Sequence, residues 1–139
     1  MKNNATKVKF SPGDVFQISL PNGQFAYGRV YRDASVGIYR KITDKMNQPP
    51  IGSRDFMFFV GMYEDVLSKG KVPIVGKDPF DNEEASWPPP YSIKDKITGA
   101  YRLYHKGKMR PSSKSEAAGL EPAAAWDLHH IVDRITGAA

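Results

Sequence analysis

The sequence predicts a mostly β protein of the α+β class, in which a single curved antiparallel sheet or a partly open small barrel carries a C-terminal helix packed on it. Three observations lead to this prediction. The first third of the chain has the pattern of a β-hairpin, further runs rich in β-branched and aromatic residues follow it, and one amphipathic helical pattern lies near the end. The length of 139 residues suits a single domain over residues 1–139, with residues 1–9 as a flexible N-terminal tail.

The hairpin is predicted from two apolar-rich runs, 13–20 and 24–31, which flank Pro21-Asn22-Gly23. Asn-Gly tolerates positive φ at both turn positions, so this pair predicts a tight turn. Residues 35–42 then predict a third strand, in which Gly37 marks a bulge or close packing.

Two further runs predict a central strand and an edge strand. Residues 55–63 are almost continuously apolar, as expected for a central strand buried on both faces. Residues 72–76 predict a short edge strand, because Pro73 cannot donate a ladder hydrogen bond.

A proline run, 88–90, must be extended, since proline fixes φ and disfavours helix in the residue before it. Pro88-Pro89-Pro90-Tyr91 also matches the Pro-Pro-x-Tyr pattern of short polyproline ligands. We favour the simpler interpretation that Trp87 and Tyr91 pack a rigid loop onto the protein's own core.

Residues 97–110 predict another strand and a turn. With a period of two, one face of this strand carries a basic and aromatic strip of Arg102, Tyr104 and Lys106. Such a strip can stack bases and neutralise phosphates, and the same residue types are favoured in protein interfaces. An ordinary half-exposed strand is the third interpretation, and the one we favour.

The C-terminal part predicts two helices. Residues 113–116 fit a capping box for a short helix, and Gly119 supplies a left-handed stop. The second helix has Asp127 as its N-cap and ends at Gly137. Its apolar residues recur at helical spacing and predict one stripe that lies on the sheet, formed by Leu128, Ile131, Val132 and Ile135.

The charge is unevenly distributed along the chain, whose net charge is +5. Residues 61–92 carry six acidic and three basic side chains. We name residues 78–84 the acidic loop, after Asp78, Asp81, Glu83 and Glu84. These carboxylates would repel phosphates and could dock on a basic protein surface, although a solvated loop is the simpler interpretation.

The residues indicate no catalytic, cofactor or metal site. His129 and Asp133 stand at i, i+4 on the predicted helix, but no third ligand follows. The chain has no cysteine, no Gly-x-Ser-x-Gly elbow and no glycine-rich phosphate loop. It also has no apolar run long enough for a membrane span and no secretory signal pattern, so we expect a cytoplasmic protein without membrane contact.

Several blocks of the sequence, taken in order from about residue 10 to 135, resemble the immunity protein 26 family of bacterial polymorphic toxin systems. The blocks are Gly13-Asp14-Val15-Phe16, Leu20-Pro21-Asn22-Gly23, Tyr27-Gly28-Arg29-Val30, Val75-Gly76-Lys77, Trp87-Pro88-Pro89-Pro90, Thr98-Gly99-Ala100-Tyr101-Arg102, Gly119-Leu120-Glu121, Trp126-Asp127 and Ile131-Val132-Asp133-Arg134-Ile135. The resemblance implies a mostly β cytoplasmic protein that binds and neutralises a toxin encoded beside it. It implies no catalytic residue and no cofactor.

We therefore expect an immunity protein that occludes the active site of a cognate toxin, with no enzymatic activity. The candidate partner-binding residues are Asp78, Asp81, Glu83, Glu84, Arg102 and Tyr104. Two alternatives stay open. The resemblance also extends to small proteins described as organophosphate hydrolases, so the first alternative is a hydrolase of organophosphate-like esters. Its reactive groups would be Asp127, His129, His130 and Asp133. A weak nucleic-acid-binding module would use Arg102, Tyr104 and Lys108, but we do not expect nucleic acid as the partner.

Overall fold

The computed structural model of the protein describes residues 7–138, and within them the chain forms nine β-strands and three α-helices. The strands are β1 Asp14–Ser19, β2 Phe25–Tyr31, β3 Ser35–Tyr39, β4 Phe56–Met62, β5 Ile74–Lys77, β6 Tyr91–Lys94, β7 Tyr101–His105, β8 Lys108–Ser112 and β9 Ala125–Trp126. The helices are α1 Asp65–Ser68, α2 Lys114–Ala117 and α3 Leu128–Thr136, and a 3-10 helix spans Glu84–Ser86.

The strands divide between two sheets. Six strands form the main sheet in the order β5-β1-β2-β3-β4-β9, and β6-β7-β8 form a smaller antiparallel sheet. All neighbours in the main sheet are antiparallel except β4 and β9, which pair in parallel after the chain has made the smaller sheet. The predicted mostly β fold with a C-terminal helix is confirmed, and among the described residues neither sheet closes into a barrel.

The predicted β1–β2 hairpin is confirmed, with Ser19 opposite Phe25 at its end. Its turn differs from the expectation, because only Gly23 has positive φ (85°) and Asn22 does not. Pro21 explains the difference. Proline fixes φ near −65° and favours a right-handed turn, which then needs a left-handed residue only at its last position.

One face of the main sheet forms the hydrophobic core together with α1 and α3. Phe16, Ile38 and Val60 are fully buried there, and Ile131 of α3 packs against them with no exposed surface. The predicted apolar stripe of α3 is confirmed, and so are its Asp127 N-cap and its end at Gly137 with φ 76°. Burying an isoleucine side chain such as Ile131 contributes about 2 kcal/mol, so the apolar stripe holds α3 on the sheet.

The opposite face of the main sheet carries aromatic rings. Tyr31 and Phe59 meet edge to face with ring centroids 5.2 Å apart, and Phe56 stacks on Tyr39 at 4.8 Å. The close packing predicted for Gly37 is confirmed, because a Cβ atom there would lie 2.6 Å from the Phe59 ring.

Strand β4 differs from its prediction as a central strand buried on both faces. Only the two-residue β9 lies beyond it in the sheet. Phe58, Val60 and Met62 are buried in the core, whereas Phe59 on the other face is partly exposed. The apolar run therefore marks a strand with a core face and an aromatic face, and the second face is only partly covered.

The remaining local predictions have mixed outcomes. Strand β5 is the edge strand expected from Pro73, and the capping box of Ser113 and Glu116 is present at α2. The left-handed stop expected at Gly119 is wrong, because Gly119 does not have positive φ. Helix α2 already ends at Ala118, which has a right-handed conformation. Of the predicted N-terminal tail, residues 1–6 lie outside the described residues, and the backbone N–H of Val8 donates to Ser68.

Candidate functional site

The turn between β2 and β3, residues 32–34, is held in an unusual conformation. Asp33 and Ala34 both have positive φ, at 64° and 51°. Aspartate tolerates this region, but an alanine side chain there costs about 1 kcal/mol. Such strain persists only where the surrounding structure fixes it, and it is common at functional sites.

The acidic loop is attached to this turn. The backbone N–H of Arg32 donates to the carbonyl of Ser86 at 2.9 Å, and its Nε donates to the Ser86 hydroxyl at 2.7 Å. The Arg32 guanidinium also lies 3.7 Å from the Glu83 carboxylate and 5.6 Å from the Trp87 ring centre. The turn, the 3-10 helix and Trp87 therefore form one connected surface.

Asp78 differs from the other acidic residues of the acidic loop, and its prediction as an exposed contact residue is corrected. Asp81, Glu83 and Glu84 are exposed, but Asp78 is only 2% exposed. Its charge is compensated inside the protein, so Asp78 is a structural residue and not an exposed contact.

The Asp78 carboxylate is the centre of a buried hydrogen-bond network. It accepts from the Tyr39 hydroxyl at 2.5 Å and from both terminal nitrogens of Arg54 at 2.9 and 3.2 Å. Arg29 Nε donates to the Asp78 carbonyl at 2.8 Å, and its guanidinium lies over the Phe80 ring at 3.7 Å. The network therefore fixes the start of the acidic loop to β2 and β3.

These contacts set the protonation of the network. Burial alone raises the pKa of Asp78, but hydrogen bonds from Arg54, Tyr39 and the Gly52 N–H, with the charge of Arg29, outweigh burial and lower it. Burial and the hydrogen bond to Asp78 raise the pKa of Tyr39. The aspartate is therefore ionised and the tyrosine neutral at physiological pH.

The predicted basic and aromatic strip is only partly formed. Arg102 is exposed on β7, and Tyr104 on the same strand lies beside the Asp33 carboxylate, which raises the pKa of Tyr104. Lys106 does not share their face, because it lies after β7 in a turn with φ 55° and pairs with Glu84. This ion pair joins the β7–β8 turn to the acidic loop.

A cavity of about 520 Å³ opens where these segments meet, and we name it the turn pocket. The β2–β3 turn, Trp87 and Gly107 of the β7–β8 turn form parts of its wall. Its floor is mostly apolar and includes Phe10, Val30, Val36, Met62 and Leu67. The last four of these side chains belong to the core, so the pocket reaches the hydrophobic interior from the surface.

The rim of the turn pocket is acidic in a protein of net positive charge. Asp33 and Glu64 line it and are exposed, and neither has an ion-pair partner among residues 7–138. Arg32 also lines the pocket, but its charge is opposed by Glu83. A cationic partner would therefore be attracted to the mouth of the pocket.

The histidines and aspartates considered for hydrolysis lie on or beside α3. His129 and His130 are exposed with ring centres 3.9 Å apart, and the Asp127 carboxylate accepts from the Leu128 N–H as the helix cap. In the part of the chain that the structure describes, no group of three or more His, Cys, Asp or Glu side chains could hold a metal ion.

Sequence reasoning found some residues of this site and missed others. It selected Glu83, Glu84 and Tyr104, which the structure brings to the region around the turn pocket. It missed Asp33 and Glu64, which lie outside the acidic loop and have one charged neighbour each, Arg32 and Asp65. The Asp33-Ala34 pair between two β-forming runs was the one available signal, because a hairpin turn without glycine or asparagine is unusual.

Comparisons with known proteins identify one family. A scan of protein-family models finds immunity protein 26 over residues 11–103, so the later blocks of resemblance lie outside the matched part. A search of curated proteins and a search of solved structures found no match. None of the helices within residues 7–138 is long and apolar enough to cross a membrane. Since the matched residues make up most of the chain, this protein belongs to the immunity protein 26 family.

Proposed function

We propose that this protein is an immunity protein that binds a cognate bacterial toxin and neutralises it by occluding the toxin's active site. Membership of the immunity protein 26 family over residues 11–103 is the observation that carries the proposal. A neutralising protein needs an extended, preformed surface of matching charge and no reactive group, so we infer that it is not an enzyme and uses no cofactor.

We propose the surface around the turn pocket as the toxin-binding face. Asp33, Glu64 and the exposed carboxylates of the acidic loop outnumber the cations Arg32 and Lys106, so this face has a net negative charge. The rest of the chain is basic, so the acidic face would orient the protein toward a basic surface and speed the encounter. A basic active-site cleft on the toxin fits this pattern best.

The contact residues proposed from the sequence divide into two groups on this basis. Asp81, Glu83, Glu84 and Tyr104 belong to or adjoin the proposed face, and we retain them. Arg102 is exposed on β7 but is not among the residues that line the turn pocket, so we propose it only for the periphery of the interface. We propose that the protein is located in the cytoplasm, because it would have to bind the toxin where the toxin is synthesised.

Co-expression with the polypeptide encoded immediately upstream tests the proposal. We expect restored growth of cells that express this polypeptide and a purified complex with a nanomolar dissociation constant. Absence of both rescue and binding would contradict the proposal for that polypeptide.

The triple variant D81N/E83Q/E84Q tests the acidic loop within that complex. We expect at least tenfold weaker binding and a smaller dependence on salt. The control D44N/D55N/E116Q removes the same charge from exposed positions elsewhere, and its glutamine still completes the capping box of α2. Equal affinities for the two triple variants would remove the acidic loop from the interface.

A further inference from the structure

The turn pocket is built to accept a side chain from outside. Among residues 7–138, its floor is mostly apolar and continuous with the core, whereas its charged lining residues stand at its mouth. A side chain that enters such a pocket places its tip on the floor, where an ionised group would lose hydration without a partner. The floor of the pocket therefore favours a side chain with an apolar tip. The acidic mouth favours positively charged residues next to that side chain in the partner.

We propose that the turn pocket seats one large apolar side chain from a toxin segment, and that basic residues flanking this side chain pair with Asp33 and Glu64. This inference deepens the proposed function and rests on it for the identity of the partner. Buried apolar anchors within a polar rim carry most of the binding energy in protein interfaces.

The carboxylates at the mouth support basic flanking residues. Asp33 and Glu64 are exposed and free of ion pairs within residues 7–138, so pairing with a partner breaks no internal ion pair. Glu64 precedes α1 but makes no side-chain cap hydrogen bond, so its carboxylate has no structural duty there. The left-handed turn holds Asp33 at the mouth, and the Arg32 contacts to Ser86 fix that turn.

Ser11 offers a way to close the pocket without changing the fold. It lines the turn pocket and is exposed. Within residues 7–138, its two hydrogen bonds are both with Asp14 and use the Ser11 backbone. We therefore expect S11W to fill the pocket without lowering the unfolding temperature. Ser19 at the far end of β1 is exposed and does not line the pocket, so S19W is the control of equal bulk.

A peptide titration tests the pocket independently of any toxin. The probe is acetyl-Arg-Phe-Arg-amide, added to protein with labelled methyl groups and followed by NMR. We expect saturable shifts at the methyl groups of Val36, Met62 and Leu67 with a millimolar dissociation constant. Acetyl-Glu-Phe-Glu-amide and acetyl-Arg-Ser-Arg-amide should bind at least tenfold more weakly, because one lacks the charge and the other the anchor.

Variants complete the peptide test. S11W should remove the shifts, and D33N/E64Q should weaken binding at least threefold and reduce its salt dependence, while S19W and D44N/D55N bind as the wild type does. Absence of shifts at the floor methyl groups, or equal shifts in S11W, would overturn the inference.

The toxin complex gives a second readout that separates the two proposals. If the wild type binds the upstream polypeptide, S11W should lose at least 100-fold in affinity relative to S19W. Equal affinities would overturn the pocket while leaving toxin binding intact. If the wild type does not bind that polypeptide, the proposed function fails for it, and the peptide titration still decides whether the pocket accepts an apolar side chain.

Discussion

Arg134 of α3 donates two hydrogen bonds to the carboxylate of Glu121, at 2.7 and 2.8 Å. The same guanidinium lies 4.1 Å from the ring centre of Phe58 and 5.2 Å from that of Trp126. One planar cation therefore connects the C-terminal helix, the segment before β9 and the core strand β4. Paired hydrogen bonds combined with stacking need the flat, branched head of arginine, which lysine cannot supply.

We predict that R134K destabilises the protein by about 1–2 kcal/mol, because lysine loses the paired hydrogen bonds and the ring contacts. Chemical denaturation measures the change. R40K is the control, since the Arg40–Asp55 pair is exposed on both sides and should contribute less than about 0.5 kcal/mol. Equal effects of the two variants would show that the Arg134 contacts have no special role.

Asp78 gives a second prediction. D78N should destabilise the protein by about 3 kcal/mol, because Arg29 and Arg54 keep their charges while the buried partner loses its own. Unfolding in urea at pH 7 measures the loss. D55N removes an exposed aspartate and should change the free energy of unfolding by less than about 0.5 kcal/mol. A similar result for both aspartates would contradict the assigned role of the network.

The pH dependence of stability follows from the same residue. The folded-state pKa of Asp78 is lowered, so its contribution to the free energy of unfolding is fully present above the unfolded value near 4 and is lost as pH falls through the folded value. We predict that wild-type stability falls on acidification below about pH 4, and that D78N loses less over the same range. Melting curves of the wild type and D78N, recorded at several pH values from pH 5 to pH 2, test this. An identical dependence of stability on pH in the two proteins would contradict it.

Gly28 predicts a steric effect. A Cβ atom there would lie 2.2 Å from Cζ of Phe16, a fully buried ring of the core. We expect G28A to lower the free energy of unfolding by about 2–3 kcal/mol, since the ring has no room to move. At Gly119 a Cβ atom meets nothing within 4 Å, so G119A is the matched control and should be close to neutral. Tolerance of G28A would mean that the core can repack around the ring.

The strained turn predicts a stabilising substitution. A34G should raise the free energy of unfolding by about 0.5 kcal/mol, because relief of the left-handed strain outweighs the greater freedom that glycine has in the unfolded chain. The control A100G, at an exposed position with ordinary φ, should instead destabilise by roughly 0.5–1 kcal/mol through greater freedom of the unfolded chain. Thermal and denaturant unfolding of both variants give the signs, and a destabilising A34G would contradict the strain.

Local features of the fold were predictable from the sequence because neighbouring residues determine them. The β1–β2 hairpin, the capping box at Ser113 and the stripe of α3 each depend on residues within a few positions of one another.

The candidate site was less predictable because distant segments form it. Arg29 reaches the Asp78 carbonyl across 49 residues, and the Lys106–Glu84 pair joins positions 22 residues apart. A run of acidic residues has the same composition whether its members are buried or exposed, so the pattern could not distinguish Asp78 from Glu83. The parallel pairing of β9 with β4 was equally hidden, because a two-residue strand carries no periodicity.

The late position of β9 has a consequence for synthesis of the chain. The edge of β4 that pairs with β9, and the Phe58 ring under Arg134, stay uncovered until residues 125–136 have left the ribosome. An open strand edge beside apolar surface is a site of self-association in nascent chains. We therefore expect β9 and the last helix together to protect the newly made chain from self-association as well as to complete its core.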